Sequence, residues 1–429
     1  PVNQAAPTPS RRHDLDWLRA IAILALLFFH SAMPYVTEWD WHIRNAQTSS
    51  LLLEANFFVS RFRMALLFVI AGIAAHFVLR RRPTGAFLRD RAVRLLVPLS
   101  FGILVIVPPQ VYYERLADGA FSGSFLAFWP RTLRFVPYPS GDTSYHHLWF
   151  IFYLFLYSVI LAPASAFVRT PRGAAMLSAL RSLLARTGVH LLALPIVAAY
   201  ALLIQRFSGA QNIVDDGAMF LVYFLYFATG WIIGNDPAVW ARIEGGRRGA
   251  FTMALLGLLV INGVRWNGAT PPSGDSAARI AYLALLAAHA WCWVMAILGY
   301  GKRWLDRDHP ILHWTRDASY PFYILHQTVI VVVAYYVVQT NETVLAKFLF
   351  TSVVSLALTL ALYETLVRPF RWVRWLFGMT PASRQGASAT LVRLGGALRH
   401  GDRSADAQLG GGGAGENSGL GAWGGAKSG

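Results

Sequence analysis

Ten apolar runs, each long enough to cross a bilayer as a helix, constrain this chain more than any other feature. They fall at approximately 15–36, 57–79, 95–112, 147–168, 188–206, 217–235, 249–266, 279–300, 320–339 and 345–367. The hydrocarbon core offers backbone N–H and C=O groups no partner, so such runs are expected to be helices bonded within themselves. The bulk composition agrees: 55% of the 429 residues are hydrophobic, 14% are charged, and mean hydropathy is +0.43. The chain therefore reads as an all-α integral membrane protein of about ten transmembrane helices.

A net charge of +16 would suit a nucleic-acid partner, but its distribution speaks for topology instead. The arm with Arg11 and Arg12 and the segments 80–94, 169–187, 236–248 and 301–319 hold nineteen Lys and Arg, whereas the intervening connections hold four. The positive-inside rule then places both termini in the cytoplasm, and no nucleic-acid partner is expected. The single cysteine, Cys292, excludes an intrachain disulfide and any cysteine-cluster metal site, and no metal is expected. Residues 1–378 read as one membrane domain and 379–429 as a flexible Gly/Ser/Ala-rich cytoplasmic tail. The first ten residues carry no signal-peptide pattern, and a homo-oligomer stays open.

Inside the first run, His30 lies eleven positions after Arg19. On a 3.6-residue helix, eleven steps make about three turns, so both side chains share one stripe about 16 Å apart. Ionisable residues within a span are costly and point to function by default. The plain alternative is that Arg19 snorkels to the headgroups and His30 is a neutral packing residue.

The other polar groups sort by side. Trp39, Asp40, Trp41 and His42, then Arg61 and Arg63, then His146, His147 and Trp149 fall outside, with a long connection over residues 113–146. Tryptophan beside polar donors suits a carbohydrate, because the indole covers apolar sugar faces, although tryptophan belts also mark any membrane interface. Arg19, Arg89, Arg91, Arg94, Tyr323, His326, Glu364 and Arg368 fall on the cytoplasmic side. There the arginines suit a polyphosphate ligand such as coenzyme A, while Glu364 and Arg368, four apart, are spaced to pair. His76, His190 and His289 read as structural.

The segments LDWLRAIAILALLFFHSA, SRFRMALLFVIAGIAAHF, FLRDRAVRLLVP, HHLWFIFYL, SYPFYILHQ and YETLVRPFR, in this order, resemble the acyltransferase 3 family of membrane acyltransferases over about residues 11–378. WDWHIRN and the FRM before FVIAG look most like the glucan biosynthesis protein C branch, which succinylates periplasmic glucans. The resemblance implies a multi-pass protein of the bacterial inner membrane. It would transfer an acyl group, succinyl by branch and acetyl as the alternative, from cytoplasmic acyl-CoA to hydroxyls of a periplasmic glucan or other extracytoplasmic glycan. His30 and Arg19 are the implied catalytic residues, with Arg19 positioning the donor. Arg89, Arg91, Arg94, Tyr323 and His326 are assigned to the donor, and Trp41, His42, Arg61, Arg63, His147, Trp149 and Glu364 to the acceptor or cavity. Acyl-CoA is a co-substrate, and no tightly bound cofactor is implied.

The chemistry asks for a base and a cationic field, which His30 and an arginine supply. Ser31 is adjacent in sequence and faces elsewhere, so direct transfer is expected without a protein nucleophile. A transporter or glucan flippase using Arg19, His30 and Glu364 as a polar path is the rival reading.

Overall fold

The computed structural model describes residues 11–207, 215–267, 274 and 276–379. The N-terminal segment before Arg11 and the expected tail beyond Met379 lie outside the described residues. In chain order the helices are α1 (His13–Ala32), α2 (Ser50–Ser60), α3 (Arg63–Arg81), α4 (Thr84–Arg91), α5 (Val97–Phe101), α6 (Pro108–Ala117), α7 (Phe125–Thr132), α8 (Trp149–Phe167), α9 (Pro171–Thr187), α10 (Ala193–Leu203), α11 (Gly217–Ile233), α12 (Pro237–Trp266), α13 (Ala277–Trp304), α14 (Pro310–Val337), α15 (Val344–Leu362) and α16 (Arg371–Leu376). Among the described residues there is no strand beyond an isolated bridge between Pro137 and Thr143.

Among the described residues nine helical segments are long and apolar enough to cross a membrane, and α11, apolar but only 17 residues long, occupies the remaining expected span, the sixth in chain order. The protein is an all-α integral membrane protein. Several starts follow from capping: Ser49, Thr170, Asp236, Ser276 and Thr343 each accept a backbone N–H from the first turn of α2, α9, α12, α13 and α15. Pro171 and Pro237 sit in the first turn of α9 and α12, where a missing N–H is no loss.

Two segments depart from the expected bounds. The span expected at 320–339 begins ten residues earlier, because His309 caps Ile311 N at 3.2 Å and Pro310 opens α14. The span expected at 95–112 is drawn out from Thr84 to Ala117 and passes through two wide turns, Ala92–Leu96 and Gly102–Ile106. Pro108 and Pro109 follow the second wide turn, and proline cannot donate to a carbonyl a turn behind it. The freed carbonyls find side chains: Leu104 O accepts from Trp129 Nε1 at 2.8 Å, and Ile106 O accepts from Thr328 Oγ1 at 2.7 Å. Local proline chemistry thus ties α6 to α14.

The core depends on close backbone approach between α3 and α11. A Cβ on Gly72 would stand 1.9 Å from Phe227 O, and one on Gly230 would stand 2.0 Å from Val69 O. Small residues at a crossing let membrane helices pack by dispersion where no hydrophobic drive exists. The histidines expected to be structural are held within the bundle. His289 Nδ1 bonds Ala254 O at 2.9 Å, His190 Nδ1 accepts from Trp291 Nε1 at 3.0 Å, and His76 Nδ1 lies 3.3 Å from Arg181 Nη2.

Gly230→Ala is therefore expected to destabilise by about 1–3 kcal/mol through overpacking. Gly245→Ala, on α12 with nothing within 4 Å of its Cβ, is expected to stabilise slightly, by about 0.5–1 kcal/mol. Thermal unfolding in detergent micelles checks the pair, and shifts of the same sign would refute the crossing argument.

Candidate active site

The site forms where α1 ends. Beyond the turn Met33–Tyr35 the chain doubles back, held by Asn45 N to Pro34 O and Ser49 N to Tyr35 O, both 2.9 Å. Lys347 on α15 anchors this loop through Asn45 Oδ1 at 2.9 Å. The fold-back lays Trp41 over His30, with ring centroids 5.2 Å apart and planes 22° from parallel. On α2, Asn56 Nδ2 donates to Phe29 O at 3.0 Å and fixes the last turn of α1.

His30 is buried and makes one side-chain hydrogen bond, from Nδ1 to His326 Nε2 at 3.0 Å. The other nitrogen of His326, Nδ1, faces Tyr323 O at 2.6 Å. A carbonyl only accepts, so His326 Nδ1 carries the proton and, in the neutral ring, Nε2 is an acceptor. His30 Nδ1 must then be the donor, which leaves the His30 lone pair on Nε2. The backbone of α14 thereby dictates the tautomer of a histidine on α1.

Around this pair a polar network links five elements. His147 Nε2 donates to Ile324 O at 3.0 Å, and the Tyr323 hydroxyl donates to His147 O. Gln110 on α6 bonds Thr328 Oγ1 at 2.7 Å and accepts from Gln327 Nε2 at 3.1 Å. Gln327 reaches His42 Nε2 at 3.2 Å, and His42 Nδ1 meets Glu114. His146, at φ 34° in a conformation rare for any residue but glycine, packs edge-on against His42 with centroids 4.5 Å apart. Glu114 also receives the Tyr138 hydroxyl; burial and that carboxylate push the phenol well above its ordinary range.

Two arginines face the same space. The Arg63 guanidinium lies 3.3 Å over the Phe29 ring, and its Nε and Nη1 are shut off from solvent without a hydrogen-bond partner. The Arg61 guanidinium lies 4.2 Å from the Phe57 ring centroid, with Nε likewise unmatched. No carboxylate pairs with either among the described residues, although Arg265 nearby takes both Glu38 and Glu54. A desolvated cation held only by an aromatic face is costly, and an anionic ligand would relieve it.

These groups line a cavity of about 1780 Å³ that also exposes Trp39, Trp149, Tyr200, Tyr223 and Tyr226. Of the residues singled out from the sequence, His30, Trp41, His42, Arg61, Arg63, His147, Trp149 and Tyr323 line it, and His326 supports it through His30. Tyr323 and His326, expected on the donor side with Arg19, lie instead at the His30 end. The early start of α14 puts them thirteen and sixteen residues into the helix, about 20–24 Å along its axis.

The remaining candidates lie outside the cavity lining. Arg19 bonds Asp16 at 2.9 Å in the first turns of α1, where Asp16 also meets Arg11 and Arg316. Arg94, in the wide turn Ala92–Leu96, bonds Asp90 at 2.9 Å, the Arg91 guanidinium is 5.2 Å from the Phe87 ring centroid, and Arg89 shares α4 with Arg91. Glu364, expected at the cavity, accepts from Trp314 Nε1 at 2.5 Å and from Arg368 at 2.6 Å. Arg19 is held at Asp16 and Glu364 at Arg368, both outside the cavity that His30 lines, so the polar path from Arg19 through His30 to Glu364 is not assembled among the described residues.

Glu114, Gln110 and Gln327 were not among the sequence candidates, nor was His146 assigned a role of its own. Glu114 fell just beyond the expected end of the third span, and Gln327 directly follows His326 in the late-span motif. A buried base beside unpaired guanidinium groups in a roomy cavity suits polar transfer chemistry. Compared with known proteins, residues 12–364 match the family model described as an acyltransferase domain, acyltransferase 3. No curated protein matches the chain, and no solved structure does. The match covers most of the chain and encloses every cavity residue named above: the chain belongs to the acyltransferase 3 family, as a multi-pass membrane enzyme of acyl transfer.

Proposed function

We propose that this enzyme transfers an acyl group, succinyl in preference to acetyl, from acyl-CoA to hydroxyls of a periplasmic glucan at the bacterial inner membrane, with His30 as general base. The observation that carries this reading is the chain from Tyr323 O through His326 to His30, which leaves His30 Nε2 as the acceptor. His30 Nε2 takes the proton of a sugar hydroxyl as its oxygen attacks the thioester carbonyl. The resulting oxyanion is met by the guanidinium of Arg63, which lines the cavity and has no carboxylate partner among the described residues. Collapse breaks the C–S bond, and the CoA thiolate leaves with the proton returned from His30. Neither step needs a protein nucleophile.

Trp39, Trp41 and Trp149 give the cavity the aromatic walls a sugar ring covers, and Arg61 offers a second cation for the distal carboxylate of a succinyl group. Arg19 and the α4 arginines are left as donor-side positioning residues, since the positive-inside rule puts that end in the cytoplasm where acyl-CoA arrives.

The test is covalent: in reconstituted vesicles, loss of succinyl-CoA should match new esters on glucan, read by mass spectrometry. Glucan crossing the membrane without CoA release would refute it. His30→Ala should remove product by a factor of about 10²–10⁴ while the protein stays inserted. His326→Gln, which keeps an acceptor oxygen, should retain more kcat than His326→Leu, with KM for both substrates little changed. Equal kcat in the two variants would remove His326 from the orienting role.

The arginines divide by readout. Arg63→Gln is expected to lower kcat by about 10²–10³-fold, the scale for loss of one oxyanion donor. Arg61→Leu should raise KM for succinyl-CoA while leaving that for acetyl-CoA nearly unchanged; equal effects on both donors would exclude a carboxylate contact.

A further inference from the structure

In the cavity wall beyond Trp41, three side chains from three elements converge. His42 comes from the loop after α1, Glu114 from α6 and His146 from the turn before α8, and all three line the cavity. One ligand atom from each lies within 4.8 Å of the other two. The His42 and Glu114 side chains are only 8% and 7% exposed. His146 Nε2 is shut off from solvent with no hydrogen-bond partner.

A His42–Glu114 hydrogen bond explains two of these groups and leaves the third without a role. We propose that His42, Glu114 and His146 form a zinc-binding site in the cavity wall. Two imidazole nitrogens and one carboxylate oxygen are the donor set of an open zinc site, with three protein ligands and a fourth position for an oxygen ligand. Nitrogen donors disfavour Mg²⁺ and Ca²⁺, which take oxygen. Tetrahedral bonds of about 2.0–2.2 Å place ligand atoms about 3.3–3.6 Å apart. The three ligand atoms, all within 4.8 Å of one another, take up that spacing on binding, and the short His42–Glu114 contact opens.

The outer partners are those a metal site uses. Gln327 sits on the far nitrogen of His42 at 3.2 Å, and the Tyr138 hydroxyl bonds Glu114. With zinc on Nδ1, His42 Nε2 carries a proton, and Gln327 gives up its present donor contact there while keeping the one to Gln110. The ion joins the loop, α6 and the α8 turn into one wall and offers its fourth position to water or to a hydroxyl of the cavity's ligand. The site rests on its own ligands and does not depend on acyl transfer.

The test uses the full chain purified through a tag without histidine, in wild type and in the variants His146→Ala and His42→Ala/His146→Ala. After zinc loading and exhaustive buffer exchange, elemental analysis is expected to find about one zinc per wild-type chain and less than about a tenth of that in the double variant. Zinc should raise the wild-type unfolding temperature and leave the double variant unmoved. His146→Ala, which spares the His42–Glu114 pair, guards against loss of fold and should weaken zinc by at least about tenfold in competition with a chelating dye. Wild-type zinc no higher than in the double variant, or the same thermal shift in both, would overturn the site and leave only the His42–Glu114 hydrogen bond.

Discussion

The hydrogen bond between His30 Nδ1 and His326 Nε2 is the interaction on which the site depends. It couples the last turn of α1 to the middle of α14, and its direction is set by a backbone carbonyl that can only accept. A side-chain partner could rotate or titrate and let the tautomer drift. A helix carbonyl at the position of Tyr323 cannot. The same stretch of α14 supplies Ile324 O to His147 and Thr328 to the freed carbonyl of Ile106, so the tautomer, the His147 ring and the seat of α6 are fixed by one helix face.

Electrostatic strain in the cavity lies with the arginines. Elsewhere the bundle gives several of its cations a carboxylate: Arg12 meets Asp14, Arg115 meets Asp142, and Arg265 meets two glutamates. Arg63 is left with the Phe29 face alone, and Arg61 with Phe57. A cation–π contact recovers about 2 kcal/mol when desolvated, less than the several kcal/mol that desolvating an ion costs. The difference is held in place by the packing of α3 against α11, where two glycine contacts allow no slack. An anion entering the cavity releases it, and a charge that develops only during reaction gains the most.

Much of this was legible in the sequence because the bilayer simplifies reading. Length and hydropathy locate the spans, and the family segments bring His30, Trp41, His42, Arg63, His147 and Trp149 to one cavity. Three features were not legible for identifiable reasons. Depth along a helix depends on where the helix starts, and a histidine cap followed by proline moved α14 by ten residues and carried Tyr323 and His326 to the other end. A shared helical stripe predicts direction and not company, so Arg19 follows Asp16, three residues before it. Glu114 could not be read as a cavity residue while its helix was expected to stop short of it; the wide turns at 92–96 and 102–106 carry that segment through to Ala117.

The wide turns also explain why the polar network can exist at membrane depth. A regular helix satisfies its own carbonyls and gives neighbours nothing to bond. Here the irregular turn before Pro108 and Pro109 exposes Leu104 O and Ile106 O, and Trp129 and Thr328 take them. Thr328, held to the backbone, is oriented for Gln110, and Gln110 for Gln327. Non-helical backbone within a bilayer is tolerated where protein covers it, and here that cover is the wall of the cavity. The same irregularity that interrupts the third span therefore builds this wall of the cavity, and a regular helix in its place would leave the two glutamines without their anchors.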